Sequence, residues 1–189
     1  MVERVTVPDM MNAREARAQA QRMLLERHPG ASVVCLCMNI AGPVKRTEKI
    51  ERAFAWGASA VRAVLEPYET LFDAEIHEKT GPEAMFCLHG DAQEIKRRLC
   101  FLEDGCALGR LLDIDVIASD GRKPERKSVF HRANACSAKT MRLSAQEAAR
   151  TVPTSFLPAQ AKSSTRILKK LLSGAQRKTH NARCSARLP

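Results

Sequence analysis

The chain has no apolar run that approaches the roughly 18 to 20 residues needed to cross a bilayer. Its first 20 residues carry several acidic side chains and lack the apolar core of a secretory signal. The seven cysteines are odd in number and include no C-x-x-C pair, which argues against a disulfide framework and a zinc knuckle. These absences predict a cytoplasmic protein with reduced thiols and no membrane association.

The net charge of +10 is distributed unevenly along the chain. Residues 1–121 hold 15 basic and 19 acidic residues, whereas residues 122–189 hold 16 and 2, a balance of +14. The last third is also poor in apolar residues, which is typical of segments with little ordered structure. We therefore predict a folded domain over residues 10–121 and a poorly ordered basic tail over residues 122–189.

Hydrophobic periodicity within the first two thirds predicts the element order α-β-α-β-β-α-β. The continuous apolar run over residues 32–40 is typical of a buried central strand. A turn at residues 80–83 predicts a hairpin between its neighbouring strands. The expected helices cover residues 11–28, 47–66 and 91–102. The predicted fold class is α/β (α+β), a single domain built on a mixed sheet.

Two carboxylates lie within the apolar run over residues 111–117. Because side chains alternate along a strand, Asp113 and Asp115 point to one face. Adjacent carboxylates repel each other, so a divalent cation or an arginine is the natural counter-charge, and Mg²⁺ prefers such hard oxygen ligands. An edge strand with two solvated aspartates is the alternative interpretation of this spacing.

The block Leu-Gly-Arg-Leu-Leu-Asp-Ile-Asp-Val at residues 108–116 resembles the signature of the apo-citrate lyase phosphoribosyl-dephospho-CoA transferases, also called holo-citrate-lyase acyl-carrier synthases. The resemblance covers residues 10–126, about two thirds of the chain. It departs from the family at Ala41, where a proline is expected, and at residues 105–107. Further blocks occur in family order at residues 27–29, 40–45, 54–63 and 81–83.

The resemblance implies a nucleotidyltransferase-like fold and reaction. Triphosphoribosyl-dephospho-CoA is the implied donor, a serine of the citrate lyase acyl-carrier subunit attacks, and pyrophosphate leaves. Mg²⁺ held by Asp113 and Asp115 is the implied cofactor, and these two aspartates carry the implied catalytic role. Arg110 is suited to bind a phosphate through two hydrogen bonds.

The same resemblance assigns four further residues to the binding of substrate. Gly42 and Pro43 form the turn after the first strand, and Lys45 follows with a positive charge beside a helix start. Glu83 is a candidate third carboxylate or base. A plain turn, a solvated lysine and an exposed glutamate are the alternative interpretations of these residues.

The family also predicts a Cys-rich segment after the aspartate block, beginning Leu-Pro-Pro-Arg, and residues 122–189 lack it. If the codons are read one base out of phase, they permit the residues of that segment in the right order and spacing. For example, the last base of the Ser137 codon and the first two bases of the Ala138 codon together permit cysteine. We therefore predict that a one-base frameshift near residues 126–128 produced the tail. The positive charge of the tail then has no function, and we expect this chain to be impaired in transferring the prosthetic group.

Two other function classes remain open at this stage. The first is a non-catalytic module that binds nucleic acid through the basic tail. Nucleic acid is a weakly supported partner, because Phe130 and Phe156 are the tail's only aromatic residues for base stacking. The second is a non-catalytic assembly partner of a lyase complex.

Overall fold

The computed structural model describes residues 3–124, and the predicted element order is confirmed. The tail beyond residue 124, with its predicted order, frame slip and nucleic-acid binding, lies outside the described residues. Three α-helices, four β-strands and one short 3-10 helix are described: α1 Val7–Arg27, β1 Ser32–Met38, α2 Glu48–Leu65, β2 Glu69–Glu78, β3 Gly81–His89, α3 Ala92–Gly105, the 3-10 helix Gly109–Leu111 and β4 Leu112–Ile117.

Side-chain caps determine where the helices begin. The Thr6 hydroxyl accepts from the Asp9 N–H at 3.3 Å, and the Asp9 carboxylate accepts from the Thr6 N–H at 2.9 Å. This capping box starts α1 four residues before the predicted start. Thr47 and Asp91 cap α2 and α3 as the sequence predicts. Within residues 3–124, no helix is long and apolar enough to cross a membrane.

The four strands form one sheet in the order β2-β3-β1-β4, so β1 is central as predicted. The α/β (α+β) class is confirmed, with one correction: the described sheet is antiparallel at every pairing and not mixed. The sheet is antiparallel because each helical crossover connects two parallel strands that are separated by a third strand. Helix α2 connects the parallel strands β1 and β2, but β3 lies between them; helix α3 connects β3 and β4, and β1 lies between those.

Helices cover both faces of the sheet, which explains the continuous apolar run of β1. Val34 and Leu36 face α2 and α3, which contribute the larger core. Val33 and Cys35 face α1, whose buried residues are Ala16, Ala20 and Leu24. Helix α1 therefore lies on its own side of the sheet.

Candidate active site

The predicted site residues gather at one end of the sheet, where β1 ends and β3 and β4 begin. Cys37 on β1 lies in register with Glu83 on β3 and with Asp113 on β4. Cys35 lies opposite Asp115, one row further into the sheet. Alternate residues of a strand share a face, so all of these side chains lie on the face that α1 covers. The predicted side-by-side placement of the two aspartates is confirmed.

The two aspartates have different surroundings. Asp113 is exposed, and within residues 3–124 its carboxylate has no hydrogen-bond or ion-pair partner. Asp115 Oδ2 lies 2.6 Å from Lys123 Nζ. Because the Lys123 side chain is 59% exposed, this ion pair is weak and its lysine is readily displaced. Within residues 3–124, β4 lies at the edge of the sheet, which lowers the desolvation penalty that a central strand would impose on both carboxylates.

Arg17 of α1 binds Glu83 through two parallel hydrogen bonds. Its Nε donates to Oε2 at 2.9 Å, and its Nη2 donates to Oε1 at 2.6 Å. Burial alone lowers the pKa of Arg17, but the hydrogen bond and charge of Glu83 outweigh it and hold that pKa above its ordinary value. Both oxygens of Glu83 are therefore engaged by an arginine that stays charged.

Burial favours the protonated form of the two β1 thiols on this face, those of Cys35 and Cys37. Burial raises the pKa of Cys35 to about 12, against a hydrogen bond from Gln21 that lowers it. Burial also raises the pKa of Cys37, and the Glu83 carboxylate raises it further. A protonated thiol is neither a good metal ligand nor a good nucleophile. The carboxylates of this face are therefore better donors than its thiols for a hard cation.

The loop after β1 adopts a conformation that requires its glycine. Gly42 has a φ of +79°, in the left-handed region that favours glycine. The Pro43 carbonyl accepts from the Val5 N–H at 2.8 Å, which attaches the loop to the segment before α1. The Lys45 ammonium donates to the Ile40 carbonyl and closes the loop. The predicted role of these residues in binding substrate stays a prediction.

Arg110 lies in the 3-10 helix that precedes β4, at the same end of the sheet. The Asn39 N–H donates to the Leu111 carbonyl at 2.8 Å and connects the loop after β1 to this turn. Arg110 is exposed, and its guanidinium has no hydrogen-bond or ion-pair partner among the described side chains. An exposed arginine in the turn that leads into the aspartate strand is suited to bind a phosphate group of a ligand.

The donor set fits Mg²⁺. The Asp113 and Asp115 carboxylates are hard oxygen donors on one face, and within residues 3–124 only that of Asp115 has an ion-pair partner. Residues 3–124 contain no group of three or more His, Cys, Asp and Glu side chains placed to hold a metal ion. Mg²⁺ commonly takes only one or two protein carboxylates and fills its other positions with substrate phosphates and water.

Comparison with known proteins identifies the family. The family model described as apo-citrate lyase phosphoribosyl-dephospho-CoA transferase matches residues 5–138. The chain belongs to this family. The resemblance carried by the block at residues 108–116 is thereby confirmed.

Individual relatives agree with this family. A Streptococcus pyogenes protein named probable apo-citrate lyase phosphoribosyl-dephospho-CoA transferase is 31% identical over 122 residues, 65% of this chain and 64% of that relative. An Escherichia coli protein named apo-citrate lyase phosphoribosyl-dephospho-CoA transferase is 31% identical over 125 residues, 65% of this chain and 68% of that relative. The chain thus spans 64% of the length of the streptococcal relative.

Sequence reasoning missed Arg17 as a member of the candidate site. The available signal was its place on the apolar stripe of α1, one turn before Gln21 and close to Ala20 and Leu24. A lone charged residue on a buried stripe requires a partner, because an unpaired buried charge is costly. The partner could not be identified from the sequence, since Glu83 lies 66 residues away.

We expect Arg17→Met to lower the free energy of unfolding by about 2 kcal/mol, because it leaves the Glu83 carboxylate largely buried and unpaired. Urea denaturation would measure this. Arg22→Met, at an exposed position of the same helix, is the matched control and should change stability by less than about 0.5 kcal/mol. Equal stabilities for the two variants would show that the Arg17–Glu83 pair has no structural role.

Proposed function

We propose that this chain transfers the phosphoribosyl-dephospho-CoA group from triphosphoribosyl-dephospho-CoA to a serine of the citrate lyase acyl-carrier subunit. The observation that carries the proposal is the family match over residues 5–138, which contains the two-aspartate face and the adjoining loop. The relatives' names support a transferase of the citrate lyase prosthetic group. The serine acceptor and pyrophosphate release go beyond those names.

The proposed reaction is nucleotidyltransferase-like. The serine oxygen bonds to the phosphorus nearest the ribose, and the bond from that phosphorus to the two outer phosphates breaks. Pyrophosphate leaves with the bonding electron pair, and the hydroxyl proton is released to water. Such transfer depends mainly on positioning the reactants and neutralising charge.

Each candidate residue has a role in this scheme. Asp113 and Asp115 would hold Mg²⁺, which would neutralise the donor phosphates and favour departure of pyrophosphate. Arg110 binds a donor phosphate. The charged pair of Glu83 with Arg17 holds the end of β3 against α1, on the same face of the sheet as the aspartates. Lys45, with the turn before it, borders the donor.

The direct test incubates the purified full chain with donor, Mg²⁺ and the apo form of the acyl-carrier subunit. The carrier should gain the mass of one prosthetic group, measured by intact-mass spectrometry, with one pyrophosphate released per carrier. A carrier with its serine replaced by alanine is the control. A second chain with the reading frame shifted near residues 126–128 should react faster. Unmodified carrier with both chains would contradict the proposal.

We expect Arg110→Ala to raise the KM for the donor about tenfold or more, since a hydrogen-bonded charge contact contributes roughly 1.5 to 3 kcal/mol. Arg110→Lys should recover only part of this affinity, because lysine lacks the planar two-donor geometry. Arg97→Ala, on an exposed part of α3, is the control. An unchanged KM in Arg110→Ala would remove Arg110 from the donor site.

A further inference from the structure

Two charged side chains of α3 bind the backbone of β4 between the two aspartates. Lys96 Nζ donates to the Ile114 carbonyl at 2.6 Å. The Ile114 N–H donates to Glu103 Oε1 at 3.3 Å. Lys96 Nζ and Glu103 Oε2 lie 3.5 Å apart, and these side chains are only 13% and 12% exposed. Both polar groups of the Ile114 backbone are therefore bound by a largely buried ion pair.

This contact replaces a neighbouring strand at a sheet edge. Among the described strands β4 pairs only with β1, so alternate backbone groups of β4 point away from the sheet. Lys96 and Glu103 lie about two turns apart on α3, which places them on the same side of the helix. They meet at one residue and satisfy its donor and its acceptor together.

The geometry bears directly on the two carboxylates. The Ile114 N–H belongs to the peptide group that joins it to Asp113, and the Ile114 carbonyl belongs to the peptide group that joins it to Asp115. Each of the two peptide planes between the aspartates is thus held by one member of the ion pair. Holding both planes restricts how far the two carboxylates can turn relative to each other.

The same part of α3 also contacts the turn before β4. A Cβ built on Gly109 would lie 1.8 Å from the Glu103 carbonyl oxygen, so the two backbones are in close contact. Glu103 therefore touches the Leu-Gly-Arg turn with its backbone and the aspartate strand with its side chain. Helix α3 holds the whole block over residues 108–116 at two points.

We infer that Lys96 and Glu103 are positioning residues that set the orientation of Asp113 and Asp115 and thereby the affinity of the site for a divalent cation. The inference rests on the proposed function, because it uses the metal role of the two aspartates. Residues that support metal ligands in this indirect way commonly change metal affinity about 10- to 100-fold when replaced.

The test measures binding of Mn²⁺ alone to the full chain, through the EPR signal of the free ion. The main variant is Lys96→Met with Glu103→Met, because removing both charges leaves neither one buried and unpaired. We expect about tenfold weaker Mn²⁺ binding than in the unchanged chain. Lys96→Gln with Glu103→Gln keeps a donor and an acceptor for Ile114 and leaves no unpaired charge, so it should restore most of the affinity.

Two controls separate positioning from folding and from the metal role itself. Leu65→Ala removes core packing at the far end of α2 and should lower stability without changing Mn²⁺ affinity. Asp113→Asn should weaken Mn²⁺ binding. If Asp113→Asn weakens it and the double methionine variant binds like the unchanged chain, the positioning inference is wrong and the proposed function stands. Unchanged affinity in Asp113→Asn would overturn the metal role and this inference with it.

Discussion

Asp113→Asn or Asp115→Asn should lower the rate of prosthetic-group transfer about 100-fold or more, because the metal loses a charged oxygen ligand that contributes several kcal/mol to the transition state. Pyrophosphate release measured with the full chain and its frame-shifted form would give the rates. The free energy of unfolding should change by less than about 1 kcal/mol. Asp113 is exposed, and the ion pair of Asp115 with Lys123 is a surface pair.

The matched control for this experiment is Asp120→Asn. Asp120 is an exposed aspartate in the turn after β4, and it forms an ion pair with Arg122. Its replacement makes the same chemical change outside the two-aspartate face, so the transfer rate should stay within about twofold. Transfer at the unchanged rate in both Asp113→Asn and Asp115→Asn would refute their assignment as metal ligands.

Gly109→Ala should produce the largest loss of stability of any substitution considered, about 3 kcal/mol or more. The added methyl would lie 1.8 Å from the Glu103 carbonyl oxygen and 2.6 Å from the Glu103 carbonyl carbon. Both atoms belong to the backbone of α3, so neither can move aside without shifting the helix or the turn. Urea denaturation monitored by circular dichroism would measure the loss.

Two other glycines provide controls for Gly109→Ala. Gly105, at the end of α3, has no atom within 4 Å of the added methyl, so Gly105→Ala should be neutral or stabilise by up to about 1 kcal/mol. At Gly57 the nearest atom belongs to the Leu112 side chain, which can change rotamer, so Gly57→Ala should cost less than Gly109→Ala. Equal stability for Gly105→Ala and Gly109→Ala would mean that the turn does not need its close contact with α3.

The prediction of a mixed sheet failed for a topological reason. Helical crossovers suggest parallel strands, and β1 with β2, and β3 with β4, do run in the same direction. The parallel strands do not pair with each other, because β3 lies between β1 and β2, and β1 lies between β3 and β4. That order is set by the packing of the whole sheet, and no local pattern in the sequence records it.

The sequence by itself determined those features that depend on neighbours within a few residues. The caps at Thr47 and Asp91 are local hydrogen bonds, and the shared face of Asp113 and Asp115 follows from the period of a strand. The family also follows from the sequence, since its most specific block is contiguous. These features need no knowledge of where distant segments lie.

Only the tertiary structure decided which charges are already paired. The bond from Arg17 to Glu83 spans 66 residues, and the bonds from Lys96 and Glu103 to Ile114 span 18 and 11. Each depends on how a helix packs on the sheet, because hydrogen bonds require contact distances that sequence spacing does not set across separate elements. The packing places Cys37 of β1 between Asp113 and Glu83. It pairs Glu83 with Arg17 of α1 and leaves Asp113 without a side-chain partner within residues 3–124, because α1 reaches the end of β3 on this face.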